Sequence, residues 1–259
     1  MFGEDVSMNE RPPPSRPLTG PLLKVCWARG IGGCGGGLSG EHVISDGLFT
    51  GSVVGIAGGP WTEGEVRPFG KNKLKRRILC VRHNSALSPV DREGIRTFRG
   101  IRDLDEALAA NRRRPGGVHL RHEVVGSLLE RWFLKTAINS FVVGGGTKTW
   151  EGGSVPSDPP LWLVQAAFGH GALPPPLGLY NWSGESVGGK VSLVQEVGFV
   201  PLYFEGAILI GARFTFHGLS FLIWFSKAEL PWVELRAFHR HVGGRFQDAQ
   251  SRADLVVRW

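Results

Sequence analysis

The chain has 259 residues, 30 Lys and Arg against 23 Asp and Glu, and a formal net charge of +7. A hydrophobic share of 42% with nine Trp excludes a disordered polypeptide, and three cysteines in this length exclude a secreted disulfide scaffold. Glycine, at 38 residues, is about twice its usual share, which favours turns and β-structure over long helices. The basic balance suits an anionic partner such as nucleic acid.

In chain order, residues 1–20 are polar and Pro-rich around Arg11-Pro12-Pro13-Pro14. They lack the apolar core of a signal peptide and are expected to form a disordered arm. A short apolar run, Leu22 to Trp27, precedes a glycine-rich loop from Gly30 to Gly40. Glu41 to Phe49 reads as extended, with apolar residues on alternate sides, and a second loop from Gly55 to Gly70 leads into the basic run Lys71 to Arg77. After Cys80, Ser88-Pro89-Val90-Asp91 predicts a helix start, with Ser as N-cap, Pro at the first position and an acid at the third. That helix is expected to reach about Ile101, and a second to run from a cap at Asp103 through Ala110. Asp91 is thereby read as part of a helix cap and not as a metal ligand.

Arg112 to Gly117 is the expected domain boundary, separating a module at 21–112 from a β-rich domain at 118–259. Beyond it, Leu128, Leu129, Trp132, Phe133, Thr136 and Ala137 share one face at helical spacing, which predicts a helix over His119 to Asn139. Glu130, Arg131 and Lys135 are expected as an ion-pair network on its flank. Strands are predicted at Trp162 to Phe168, Val191 to Phe199, Ala207 to Phe216 and Leu219 to Phe225. The longest apolar stretch, Ala207 to Phe225, is interrupted by Arg213 and His217, so strands explain it better than a membrane span. A soluble, cytoplasmic protein is expected.

Chemistry concentrates in Leu38-Ser39-Gly40-Glu41-His42-Val43-Ile44, in Leu79-Cys80-Val81-Arg82-His83-Asn84, and in Cys26-Trp27-Ala28-Arg29-Gly30. A structural zinc site needs four Cys or His ligands, usually in two knuckles. Cys80-x-x-His83 is one such knuckle. The other begins at Cys26, but Arg29 stands where its second cysteine belongs, and a guanidinium cannot ligate zinc. Cys34 is the available substitute, because the surrounding glycines let the loop fold back. Between the knuckles, His42 is a natural base near neutral pH, and the Glu41 carboxylate and Asn84 amide offer oxygens to a hard cation such as Mg²⁺.

These motifs resemble the HNH endonuclease superfamily, in its zinc-knuckle branch, over residues 24–95. The resemblance implies an N-terminal ββα-metal module within an α+β protein whose C-terminal part is a helix-plus-β-sheet domain. It implies metal-dependent endonuclease activity, with DNA as the expected substrate. His42 would be the general base, and Glu41 and Asn84 the ligands of a catalytic Mg²⁺ or similar ion. Cys26, Cys80 and His83 would be zinc ligands, with Cys34 completing the set. Ser45 departs from the Pro that commonly ends the Glu-His motif, and Asn72 is the nearest candidate for the family's middle Asn. Lys71, Lys73, Lys75, Arg76 and Arg77 are expected to contact phosphates. The alternative is a non-catalytic nucleic-acid-binding module on a degenerate nuclease fold.

Other patterns are set aside. Gly30-Ile31-Gly32-Gly33-Cys34-Gly35 fits a dinucleotide fingerprint, but Gly36 and Gly37 continue where a helix should begin. His119 and His122, three apart on the predicted helix, are read as unrelated polar positions, and His239-Arg240-His241 as surface.

Overall fold

The computed structural model describes residues 25–58, 66–111, 119–144, 148–151, 158–182, 196–216, 219–226, 237–239, 243–247 and 252–259. The expected arm at 1–20, the boundary at 112–117 and residues 240–241 lie outside them. The fold mixes helices and sheets. Its elements run β1 (Leu38–His42), β2 (Val53–Ala57), β3 (Arg67–Gly70), β4 (Lys75–Cys80), α1 (Val81–Ala86) and α2 (Ser88–Asn111). There follow β5 (His119–Val125), α3 (Gly126–Gly144), β6 (Thr149–Trp150), α4 (Leu161–Phe168), β7 (Gly178–Trp182), β8 (Glu196–Phe204), β9 (Ile208–Phe216) and β10 (Leu219–Trp224). The last are β11 (Ala237–His239), β12 (Gly243–Gln247) and β13 (Arg252–Arg258).

Three sheets result. β1 and β4 form an antiparallel pair; β12, β13 and β5 form a second sheet; and the largest has the order β11-β7-β10-β9-β8-β2-β3, with β6 beside β9. In that sheet β2 pairs in parallel with β8, so strands from both sides of residues 112–117 share one ladder.

Helix α3 is the centre of the packing. It is buried at every residue from Trp132 to Val143. One side meets α2, where Phe98 lies 5.2 Å from the Trp132 ring, and another meets the large sheet, where Phe133 lies 4.9 Å from Phe221 and 5.2 Å from Phe214. Burying such side chains contributes about 1.5–3 kcal/mol each, which outweighs α3's weak amphipathic pattern.

Several sequence expectations are corrected. The extended segment at Glu41 to Phe49 is a strand only to His42 and then turns, with a short 3-10 turn at Asp46–Leu48. Strands β2 and β3 occupy parts of the expected Gly55–Gly70 loop and its approach. The two helices expected between Ser88 and Ala110 are one continuous α2, because nothing between Ile101 and Asp103 breaks the backbone ladder. His119 to Val125 is a strand, held by parallel pairing with β13, and the helix begins only at Gly126. The strand expected at Trp162 to Phe168 is helix α4: a short, nearly continuous apolar run does not reveal its period.

Helices α2 and α3 approach closely at Gly94, where an added Cβ would sit on the indole ring of Trp132. Gly94→Ala is therefore predicted to destabilise the protein. Overpacking costs about 1–3 kcal/mol, more than the roughly 1 kcal/mol gained in helix propensity. The expected result is a lower urea midpoint with an unchanged denaturant slope; an equal or higher midpoint would refute the tight approach.

Candidate metal centre and the acid–histidine strand

Strand β4 delivers Cys80 to the start of α1. There the Cys80 sulfur acts as the helix N-cap, accepting the His83 N–H at 3.4 Å, and it also accepts the Gly35 N–H at 3.5 Å. The glycine loop supplies the opposite wall. Gly32, Gly33, Gly36 and Gly37 all take positive φ, from 69° to 77°. Gly36 shows why the sequence needs glycine there, since a Cβ would lie 2.8 Å from Val81 Cβ as well as requiring a left-handed backbone. The loop is fastened to α1 by Val81 N–H to Gly37 O at 2.9 Å and Arg82 N–H to Gly35 O at 3.2 Å.

This folding brings Cys26, Cys34, Cys80 and His83 together, with their ligand atoms within 4.8 Å of one another. His83 Nδ1 lies 3.3 Å from Cys26 Sγ, 3.3 Å from Cys80 Sγ and 3.7 Å from Cys34 Sγ. A tetrahedral ion with bonds of about 2.0–2.3 Å sets its ligands roughly 3.5–3.8 Å apart, so this cluster can hold a metal ion. All three cysteines are free thiols. Burial pushes the Cys26 thiol up to about 12. Burial also acts against the Cys80 thiolate, but the N–H groups of Gly35 and His83 outweigh it and bring that thiol below its ordinary value. Phe168 of α4 covers the cluster, its ring 5.3 Å from His83 and 5.8 Å from Trp27. Arg29, at the position of the missing cysteine, turns away and pairs with Asp158 at 2.9 Å.

Beside this cluster, β1 and β4 pair with His42 opposite Lys75, Glu41 opposite Arg76 and Gly40 opposite Arg77. Successive strand residues face opposite sides. Glu41 is accordingly buried, while His42 is half-buried on the other face with Lys75 and Arg77 as cross-strand neighbours. Burial pushes the His42 imidazole below its ordinary pKa. The Lys75, Lys135 and Lys71 ammonium groups act in the same direction, against Asp46. Its Nε2 is buried and has no hydrogen-bond partner among the described residues. Of the basic run, Lys73, Lys75 and Arg77 are exposed, whereas Lys71 is held by Asp46 at 3.1 Å and by the Phe49 carbonyl at 3.1 Å. Arg76 is partly buried and donates to the Lys75 carbonyl.

Glu41 is engaged from within. Its Oε1 forms an ion pair with Lys135 of α3 and accepts Asn139 Nδ2 at 3.4 Å. Lys135, with only 1% of its side chain exposed, also binds Asp91 Oδ1 at 2.6 Å. That Asp91 oxygen accepts Ser45 Oγ at 2.5 Å, Ser45 accepts Trp132 Nε1 at 2.9 Å, and Asn139 Oδ1 accepts Trp27 Nε1 at 3.1 Å. Asp91, expected to serve the α2 cap, thus uses its carboxylate as a counter-ion, and Lys135 stands in the core instead of on a flank. Glu130 and Arg131 are not its partners: Glu130 accepts the Leu179 N–H and Arg131 donates to the Ala167 carbonyl, closing the end of α4. Burial raises the Glu41 carboxyl above its usual pKa, against the opposing pull of Lys135.

The catalytic Mg²⁺ site expected at Glu41 and Asn84 finds no support in this arrangement. The Lys135 ammonium already pairs with Glu41 Oε1. Asn84 is half-buried on α1. Among the described residues, the Cys26, Cys34, Cys80 and His83 group is the one cluster of three or more His, Cys, Asp or Glu side chains that could share an ion. Lys135 and Asn139 went unread in the sequence as site residues. Both occur in a helix whose polar positions look like ordinary flank residues until β1 is laid against them. Asn72 is exposed. His119 and His122 do not share a site: His119 binds Asp254 at 3.1 Å, while the His122 ring lies against Gly100.

No protein family, curated protein or solved structure matches the chain in sequence or fold. No helix among the described residues is long and apolar enough to cross a membrane.

Removing Lys135 would leave the buried Glu41 and the partly buried Asp91 without their shared cation. Lys135→Met is predicted to cost about 3–5 kcal/mol at neutral pH. In the variant, Glu41 has a folded-state pKa raised above its unfolded value of about 4.3, so stability returns as pH falls through the folded value. Urea titrations of wild type and variant at neutral and mildly acid pH measure this. A deficit that stays constant with pH would contradict the counter-ion role.

Proposed function

We propose that this chain is a phosphodiester-cleaving endonuclease of the ββα-metal type, acting on DNA, with zinc as a structural ion at Cys26, Cys34, Cys80 and His83. One juxtaposition carries the reading. His42 ends β1, β1 pairs with β4, and β4 runs directly into α1 at the cysteine–histidine cluster. The strand pair leads into a helix, with the knuckle at one end of the ladder and a half-buried imidazole at the other. A Cys₃His donor set favours zinc over hard cations, which prefer oxygen. Bound zinc would tie the glycine loop to the β4–α1 junction and so fix the strand that carries His42.

The chemistry assigned to the protein's own groups is limited. His42, neutral near pH 7 because burial disfavours its charged form, takes a proton from the attacking water. Lys75 and Arg77, on the same face of the ladder, balance the charge of the phosphate. No step is assigned to a divalent ion at Glu41. Glu41, through Lys135 and Asn139, instead anchors β1, and Asn139 also donates to the His42 carbonyl at 3.4 Å.

The Glu41–Lys135 pair favours a second reading, a non-catalytic DNA-binding module on the same scaffold. Plasmid nicking with and without added Mg²⁺, on wild type and His42→Ala, separates the two. The endonuclease reading expects nicking by wild type and a loss of about 10²–10⁴-fold in the variant, with DNA affinity retained. Binding without nicking by either protein supports the module and sinks the enzyme. The acid limb of the wild-type rate profile should lie below about pH 6.5, since activity needs the neutral imidazole and burial lowers its pKa.

Elemental analysis should find about one zinc per chain, lost in Cys34→Ser, and chelation should lower the melting temperature of wild type. Wild-type protein without zinc would refute the structural ion.

A further inference from the structure

Helix α2 and strand β5 enclose a cavity of about 510 Å³ whose lining includes Arg92, Arg96, Arg99, Arg121, His122 and Asp103. Four guanidinium groups and one carboxylate line it, and with the Glu93 and Glu123 carboxylates that pair with two of them the balance is still positive. Arg92, Arg96 and Arg99 are spaced to fall on one face of α2, and Arg121 faces them from β5. Their salt links cancel only part of this charge. Glu123, which binds Arg121 at 2.9 Å, is shared with Arg258 at 2.7 Å, so two cations face one anion. Glu93 holds Arg96, whose other nitrogen donates to the Glu123 carbonyl. Arg92 is exposed and has no hydrogen bond or ion pair among the described residues. At the floor, the His122 ring lies against Gly100, and its Nε2 is buried without a partner among the described residues.

The groove also has a direction. Arg99 donates to the Gly47 carbonyl at 2.9 Å, in the turn that follows β1. Asp46 of that turn is among the charges that act on His42. Arg92 to Arg99 covers about 10 Å of helix, enough to face roughly three successive phosphates of one DNA strand. A row of cations along a helix suits a linear polyanion better than a single compact anion.

We propose that the α2–β5 groove is a phosphate-backbone track for duplex DNA, flanking the His42 strand, with Arg92 and Arg121 as its outer contacts. The proposal rests on the DNA-binding part of the reading above and not on cleavage. Arginine contacts of this kind position the duplex without reading its sequence.

The test is fluorescence anisotropy of a labelled DNA duplex with the full chain, without added divalent ions, between about 50 and 200 mM salt. Wild type is compared with the double variant Arg92→Ala/Arg121→Ala and with Arg102→Ala, a cation of α2 outside the groove lining. The groove predicts that the double variant loses affinity about equally on unrelated sequences. The slope of log K against log salt should become shallower by about 2, while Arg102→Ala stays close to wild type. Circular dichroism and the melting temperature confirm that each variant is folded. Unchanged affinity and slope in the double variant, or an equal loss in Arg102→Ala, overturns the groove and leaves the endonuclease reading standing if plasmid is still nicked. A shallower slope in a protein that never nicks DNA supports the groove and refutes the enzyme. Wild type that fails to bind duplex overturns the groove outright.

Discussion

A lysine ammonium enclosed in the core constrains everything around it. Lys135 cannot keep its charge at 1% exposure without counter-ions, because desolvating an isolated ammonium costs several kcal/mol even after relaxation. Two carboxylates meet that need, and they come from different elements: Glu41 from β1 and Asp91 from the first turn of α2. The network closes only when β1, α2 and α3 have all docked. Ser45, itself accepting from Trp132 Nε1, then donates to Asp91, and Asn139 joins Glu41 to Trp27. A hydrophobic seam would tolerate small slips of one element along another, whereas a hydrogen-bonded ion triad does not. The strand carrying His42 is thereby held in one register against the central helix.

The cysteine–histidine cluster acts on the other end of the same ladder. Its four residues come from the segment before the glycine loop, the loop itself, the end of β4 and the first turn of α1. Trp27, adjacent to Cys26, reaches Asn139 and so links the cluster to the buried ion network. α4 covers the cluster through Phe168, and Arg131 of α3 caps the α4 carbonyls. The knuckle therefore forms part of the main core. Its integrity and that of the Lys135 network bear on the same strand.

What the sequence revealed follows from the range of each signal. The four soft ligands were legible because their chemistry is local, and Cys34 could be nominated because glycine permits the return of the loop. The destination of Glu41 was not legible. A Glu-His dipeptide says nothing about which face of a strand meets a helix nearly a hundred residues later, and Lys135 looked like one more charge on an amphipathic helix. The helix at 88–111 was announced by its Ser-Pro start, but its length was underestimated because Asp103 resembled a cap. The segments 119–125 and 161–168 were misassigned in opposite directions. In the first, parallel pairing with β13 overrides a helical pattern; in the second, a short apolar run does not reveal its period. The arginines of α2 were visible as residues, but only the approach of β5 turns them into a groove.

The two faces of β1 divide the work between them. On the inner face, Glu41 shares the Lys135 ammonium with Asp91. On the outer face, His42 has Lys75 and Arg77 as neighbours. An acid–histidine dipeptide is read most simply as two ligands or catalysts acting together, yet strand alternation sends the two side chains in opposite directions. In the endonuclease reading, Glu41 thus acts as an anchor, and the positive charge that phosphodiester cleavage requires comes from basic side chains around His42. In both proposed readings the same charges would serve binding whether or not the histidine completes a reaction, so the two readings separate on cleavage and not on affinity.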